Sequence, residues 1–235
     1  MAVIAVGSLH GAPGTTLLAL DLARFCAGET LLIEADPDGG CLAARLDLAL
    51  KPGLTELAGA ARVGIAAEDL WRFAQPIDFD VAVVVAHPAA EQVHAALRAG
   101  CAHVGRALAE LGRDVVIDVG RLRPGSPALG FAALADRLLI MSENSVEAVV
   151  ALTHRAKVLD GLADALVVLT DAKPYGADEI AATGGRCVWG AVPRATGRRS
   201  IRRRSRLLRE LVIACMPDGL AAGDEPTLAE AAVAR

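Results

Sequence analysis

Residues 5–23 read "AVGSLHGAPGTTLLALDLA". An apolar run that suits a buried strand meets a glycine-rich turn, and the turn opens onto a run with helical spacing. Gly7, Gly11 and Gly14 let the backbone curl so that successive N–H groups converge on an anion, and the helix that follows adds its positive end. Thr15 and Thr16 fall at the helix start, where a hydroxyl can ligate Mg²⁺. An ordinary strand-to-helix turn also favours glycine and small polar residues, so the loop needs support from the rest of the chain.

That support begins with the pattern of elements. Strand-type runs are expected at 3–6, 30–35, 79–86, 114–119, 137–141, 165–170 and 187–192. Helical runs are expected at 15–26, 41–47, 54–61, 66–73, 89–111, 145–159, 177–183 and 198–213. Most strands are continuous Val/Ile/Leu runs, the mark of burial on both faces. Strand alternating with helix predicts a three-layer α/β/α fold around a mainly parallel sheet of seven or eight strands. Ligands in such sheets bind at the carboxyl ends of the strands. The reading divides the chain into a domain over 1–216 and a tail over 217–235.

Composition agrees with this class. Of the 235 residues, 54% are hydrophobic and only 3% aromatic, which suits small-residue packing of helices on a sheet. The net charge of -4 argues against a general nucleic-acid binder. Charge is uneven, however: eight arginines and no acid lie between Arg194 and Arg209. The five cysteines have no paired spacing and read as reduced core thiols. His87, His94 and His103 form no clean ligand set, so no metal other than Mg²⁺ is expected. No secretory signal or membrane-spanning run is read, and a cytoplasmic location is expected.

The loop and its successors resemble the ParA/MinD-like ATPases, the deviant Walker A branch of P-loop NTPases. Their motif KGGxGKT[ST] aligns without gaps on "HGAPGTTL", and "DLA" at Asp21–Ala23 falls in register. Gly11 and Gly14 match motif glycines, with Ala12 in place of the remaining one and Pro13 at the variable position. Thr16 matches the Mg²⁺-binding threonine. His10 stands at the signature lysine and Thr15 at the Walker lysine. "TLLIEADPDGG" resembles the segment whose second aspartate helps place the attacking water, which Asp36 matches. Glu34 replaces the first. "DVVIDVGRL" resembles the Walker B strand, with Asp118 expected to hold Mg²⁺ through water and Gly120 beside the γ-phosphate. Asp36 also fits a simple turn, and Asp118 a strand-end cap. Asp171 falls near the base-reading position, and Pro193 matches a late loop. "SENSVEAVVAL" resembles the segment leading to the family's dimer-lining helix.

The resemblance implies ATP and Mg²⁺ as cofactors, a homodimer, and a role in positioning DNA, a division site or a secretion or pilus machine. The binding set it implies is Gly11, Ala12, Pro13, Gly14, Thr15, Thr16, Asp171 and Pro193, with Asp36 and His10 catalytic and Thr16 and Asp118 at the metal. The missing Walker lysine removes a charge-assisted contact, which weakens binding roughly 10- to 100-fold. Hydrolysis suffers more, because it depends on charge developing in the transition state. ATPase activity is therefore expected to be slow or absent. Arg121 or Arg123, just past the Walker B strand, offers a substitute charge. The alternative is a pseudo-ATPase scaffold that binds no nucleotide. A metabolic enzyme of the broader P-loop group would need a substrate pocket not evident in the sequence. In the arginine run, Ile201, Leu208, Leu211 and Val212 share a helix face. Arg198, Arg199, Arg202, Arg203 and Arg206 are then open to DNA phosphates, an acidic lipid or protein, or solvent alone.

Overall fold

The computed structural model describes residues 1–162, 165–193 and 198–216, leaving aside the side chains of 198–200. The tail read at 217–235, and the side chains of Arg198 and Arg199, lie outside the described residues.

In chain order the elements are β1 (Val3–Ser8), α1 (Thr15–Phe25), β2 (Thr30–Glu34), α2 (Leu42–Leu46), α3 (Leu54–Val63), β3 (Gln75–Pro76), β4 (Val81–Val84), α4 (Ala90–Glu110), β5 (Asp114–Arg121), α5 (Leu129–Leu134), β6 (Arg137–Ser142), α6 (Val146–Arg155), β7 (Ala165–Leu169), α7 (Ala177–Gly184), β8 (Val188–Ala191) and α8 (Arg198–Cys215). They form one eight-stranded sheet in the order β3-β4-β2-β5-β1-β6-β7-β8. All neighbours run parallel except the short β3, which pairs antiparallel with β4 at the edge.

Alternation along the buried strands splits the core in two. Val3 and Ala5 face one side with Leu57, Leu97, Phe131, Leu152 and Ile180, so α3 to α7 cover that face. Ile4 and Val6 face the other with Leu18, Leu22, Leu208 and Leu211, so α1 and α8 cover it. Small residues set the spacing: a side chain on Gly100 of α4 would meet the Ala58 backbone of α3 at 2.7 Å. This is the expected three-layer α/β/α arrangement.

Several local readings need correction. The run expected as a helix at 66–73 is a 3-10 helix over Ala67–Phe73. The helix expected at 145–159 ends at Arg155 and continues as a 3-10 turn over Ala156–Leu159. The strand expected from 79 begins at Val81, because Phe79 and Asp80 adopt positive φ and form the turn into it. β3 and α5 were not anticipated; each is too short to show a period. In α8, Ile201 is 52% exposed and off the apolar face, which is instead made by Leu207, Leu208, Leu211, Val212 and Cys215.

Candidate functional site

β1 lies between β5 and β6, so its chain leaves the middle of the sheet at the carboxyl edge and passes through residues 9–14 into α1. Gly11 and Gly14 both adopt left-handed backbone, at φ 84° and 98°, which side-chain-bearing residues rarely tolerate. α1 starts at Thr15 with no side-chain cap and no acid in its first turn. Its first amides and its positive dipole end are therefore free to meet an anion.

The loop borders a cleft of about 510 Å³ that is also lined by Thr16, Asp36, Asp38, Arg45, Gly120 and Arg121. Thr15, in the lysine's place, is 7% exposed, and its hydroxyl donates to the Ala12 carbonyl at 2.9 Å. It braces the loop and brings no charge to the cleft.

β5 supplies the floor. Asp118 is fully buried at 0% exposure. Its Oδ1 accepts from the Gly120 amide at 3.0 Å, and its Oδ2 has no hydrogen-bond partner among the described residues. Burial raises its pKa to about 7; the Thr16 hydroxyl and Gly120 amide pull it down, while Asp36 and Glu34 push it up. A buried carboxylate oxygen left unpaired beside a threonine at a helix start is the donor set that a hydrated divalent cation satisfies. Thr16 and Asp118 thus fit Mg²⁺. Among the described residues no cluster of three or more His, Cys, Asp or Glu side chains is arranged for a metal.

Asp36 sits half-buried where β2 turns away, its Oδ1 accepting from the Asp38 amide at 2.9 Å. Burial raises its pKa, and Asp38 adds to this; the Asp38 amide, Arg121 and Arg123 oppose it. Gly120, at φ 60°, brings β5 so close that any side chain there would meet the Asp36 carboxylate at 2.1 Å. Asp36, Gly120 and Asp118 are therefore brought together, as the motif order implied.

Glu34 has a different part. At 1% exposure, its Oε1 accepts from the Cys41 and Leu42 amides at 2.6 and 2.9 Å, and its Oε2 from the Ala86 amide at 2.9 Å. Burial raises its pKa and those three amides counter it. Glu34 clamps the ends of β2 and β4 to the start of α2; it does not reach into the cleft.

Three residues of the sequence-derived site sit elsewhere. His10 is exposed on the outer side of the loop, in a small pocket lined by Ile140 to Glu143 and by α6, and not in the cleft. It lies near enough to Glu147 to help hold that carboxyl below its ordinary range, after the hydrogen bonds of the Glu147 backbone and Ser145. Asp171 is exposed; its carbonyl accepts from Asn144 Nδ2 at 3.0 Å. Asn144 also bonds the Tyr175 carbonyl and amide, fixing the loop after β7. The Pro193 carbonyl accepts from Arg204 Nη1 at 2.8 Å, which ties it to α8.

The arginines divide by role. Arg204, from within the run, is turned inward and forms a forked pair with Asp21 at 3.1 and 2.6 Å, joining α8 to α1. Arg202, Arg203 and Arg206 are exposed, Arg206 with Glu210 at 3.5 Å. Arg123 pairs with Asp38. Arg45, not singled out from sequence, lines the cleft with its Nε 3.4 Å from Cys41 Sγ. No short-range motif marks it. His87 and His103 make local contacts with Ala89 and Arg106.

A glycine-rich loop at the middle strand's carboxyl end, an uncapped helix start and a buried strand-end aspartate define an α/β fold of the P-loop NTPase class. Comparison with solved structures places it further: the chain shares the fold of the ParA/MinD ATPases. It superposes on a ParA family ATPase from Chlorobium tepidum with TM-score 0.74 at 14% identity, covering 90% of this chain and 98% of that one. A septum site-determining protein MinD from Pyrococcus horikoshii, complexed with Mg-ADP, gives 0.67 at 14% identity, covering 91% and 95%. A cobyrinic acid a,c-diamide synthase from Mycobacterium smegmatis, with bound ATP analogue and magnesium, gives 0.63 at 20% identity, covering 90% and 93%. No protein-family model and no curated protein sequence matches the chain. Among the described residues no helix is long and apolar enough to cross a membrane.

Proposed function

We propose that the chain is a nucleotide-dependent switch of ParA/MinD type with a degenerate phosphate loop, one that binds Mg-ATP and hydrolyses it slowly or not at all. The observation that carries this reading is the unpaired, fully buried Asp118 Oδ2 beneath a cleft edged by an uncapped helix start. A fold that served only as scaffold gains nothing from a buried carboxylate oxygen without a partner, whereas a hydrated divalent cation satisfies one.

In this reading the amides of the loop and of α1 hold the phosphates, and Thr16 and Asp118 hold Mg²⁺, Asp118 through water. Magnesium supplies charge neutralisation to the phosphates when bound. Asp36, on the cleft wall, positions water. Hydrolysis is slow because Thr15 offers a hydroxyl already given to Ala12, and because His10 stands outside the cleft. A turnover equal to that of lysine-bearing relatives would refute this part. The switch acts as a cytoplasmic homodimer in positioning or partitioning, with duplex DNA meeting the exposed arginines of α8.

Thr15 also favours a second reading, a pseudo-ATPase scaffold. Thermal unfolding separates the two. Mg-ATP at about 100 times its Kd stabilises the fold by ~2.7 kcal/mol, several degrees in Tm. The switch predicts such a shift in the wild type and its loss in Asp118→Ala. No shift in the wild type at millimolar Mg-ATP supports the scaffold.

A further inference from the structure

We infer that Arg121 is the phosphate-binding cation of this cleft, supplied by the end of β5 in place of the lysine that Thr15 displaces. The inference rests on the nucleotide-binding reading above and assigns the residue that completes it.

Placement comes from the sheet. Residues along β1 and β5 pair in steady register up to Val6 and Asp118, and then the register shifts so that Gly7 opposes Gly120 and Ser8 opposes Arg121. The extra residue is Val119, and the positive φ of Gly120 turns the strand's end. The Leu122 amide donates to the Ser8 carbonyl at 2.9 Å, which locks Arg121 beside the end of β1, where the phosphate loop begins.

From there the side chain lies across the loop. A β-carbon placed on Gly11 would stand 2.2 Å from Arg121 Nη2 and 2.9 Å from its Cζ. Gly11 is favoured by its φ of 84°, and the absence of a side chain there lets the guanidinium lie against the loop. An exposed arginine free to extend into water instead covers the backbone that would cradle an anion.

The other two arginines nearby are less available. Arg123 is engaged by Asp38, and Arg45 Nε is turned to Cys41 Sγ. Among the described residues Arg121 has no hydrogen bond and no ion pair within 4 Å; Asp36 is the carboxylate that feels its charge. Five N–H donors thus remain for a polyphosphate, which a guanidinium grips bidentately.

Isothermal titration of the full chain with Mg-ATP tests this in four proteins: wild type, Arg121→Ala, Arg121→Lys, and Arg121→Ala combined with Thr15→Lys. Losing one charge-assisted donor weakens Mg-ATP about 10- to 100-fold in Arg121→Ala. Arg121→Lys keeps an intermediate affinity, and the double variant regains part of what the alanine lost. The Tm without nucleotide stays within ~2 °C, since Arg121 is exposed; if the alanine lowers it, Arg121→Gln carries the same comparison. Wild-type binding with Arg121→Ala within twofold of it overturns the inference and leaves the nucleotide reading standing. No binding by the wild type overturns both.

Discussion

Replacing Asp118 by asparagine is expected to make the nucleotide-free protein more stable while removing its response to Mg-ATP. Burial lifts the carboxyl from its ordinary 3.8 to about 7. The folded state therefore binds the proton more tightly than the unfolded chain does. Stability is complete below the unfolded pKa, falls as pH rises from about 4 to about 7, and is level above that. The gap corresponds to roughly 4 kcal/mol at pH 8, and to less than half of that at pH 5. Asparagine keeps an oxygen for the Gly120 amide and carries no charge. Its amide group takes the place of Oδ2, which has no partner among the described residues, and leaving it unpaired costs about 1–3 kcal/mol. The net gain is about 1–3 kcal/mol at pH 8 and near zero at pH 5. At about 2–4 °C per kcal/mol for a chain of this size, thermal unfolding in EDTA resolves the difference. A variant destabilised at pH 8, or shifted equally at both pH values, would refute the assignment of Asp118 as a buried carboxylate held for a cation.

Three further outcomes follow from the same geometry. Glu34→Gln sets an amide group against one of three backbone N–H groups now held by the carboxylate, and is expected to lower stability by about 1–3 kcal/mol, read by chemical denaturation. Arg204→Ala strips Asp21 and the Val192 and Pro193 carbonyls of their donor; Tm falls by several degrees while Mg-ATP affinity changes less than about twofold, which calorimetry checks. If α8 contacts duplex DNA, Arg202→Ala with Arg203→Ala weakens binding and lowers the slope of log affinity against log salt by about 2; an unchanged slope removes these residues from the interface.

Much of the fold was legible because buried strands announce themselves. "VIAV", "TLLI" and "DVVIDV" are apolar runs whose alternate residues fill two separate cores, so the α/β reading rested on the burial that shapes the structure. The pieces that escaped were short or irregular. Gln75–Pro76 is two residues of edge strand, and the 3-10 turn over Ala67–Phe73 copies an α-helical period for less than two turns. In the site, the loop glycines, Asp36 and Asp118 were legible as a motif order. Glu34 was not legible as a clamp, because its partners are backbone amides of Cys41, Leu42 and Ala86, which no side-chain pattern reveals. The arginines were legible as a run but not by face: Arg204 is distinguished from its neighbours by Asp21, 183 residues away, and by the Val192 and Pro193 carbonyls. His10, although part of the loop, faces the pocket beside α6 and not the cleft.

Equilibrium titration of the wild-type chain with ATP, in magnesium and in EDTA, decides whether this cleft is a nucleotide site. A cradle of backbone amides completed by Thr16 and Asp118 predicts saturable binding of one nucleotide per chain, in the micromolar to low millimolar range, that weakens at least tenfold when magnesium is withdrawn. Absence of saturable binding up to about 10 mM Mg-ATP, or equal binding with and without magnesium, would contradict it.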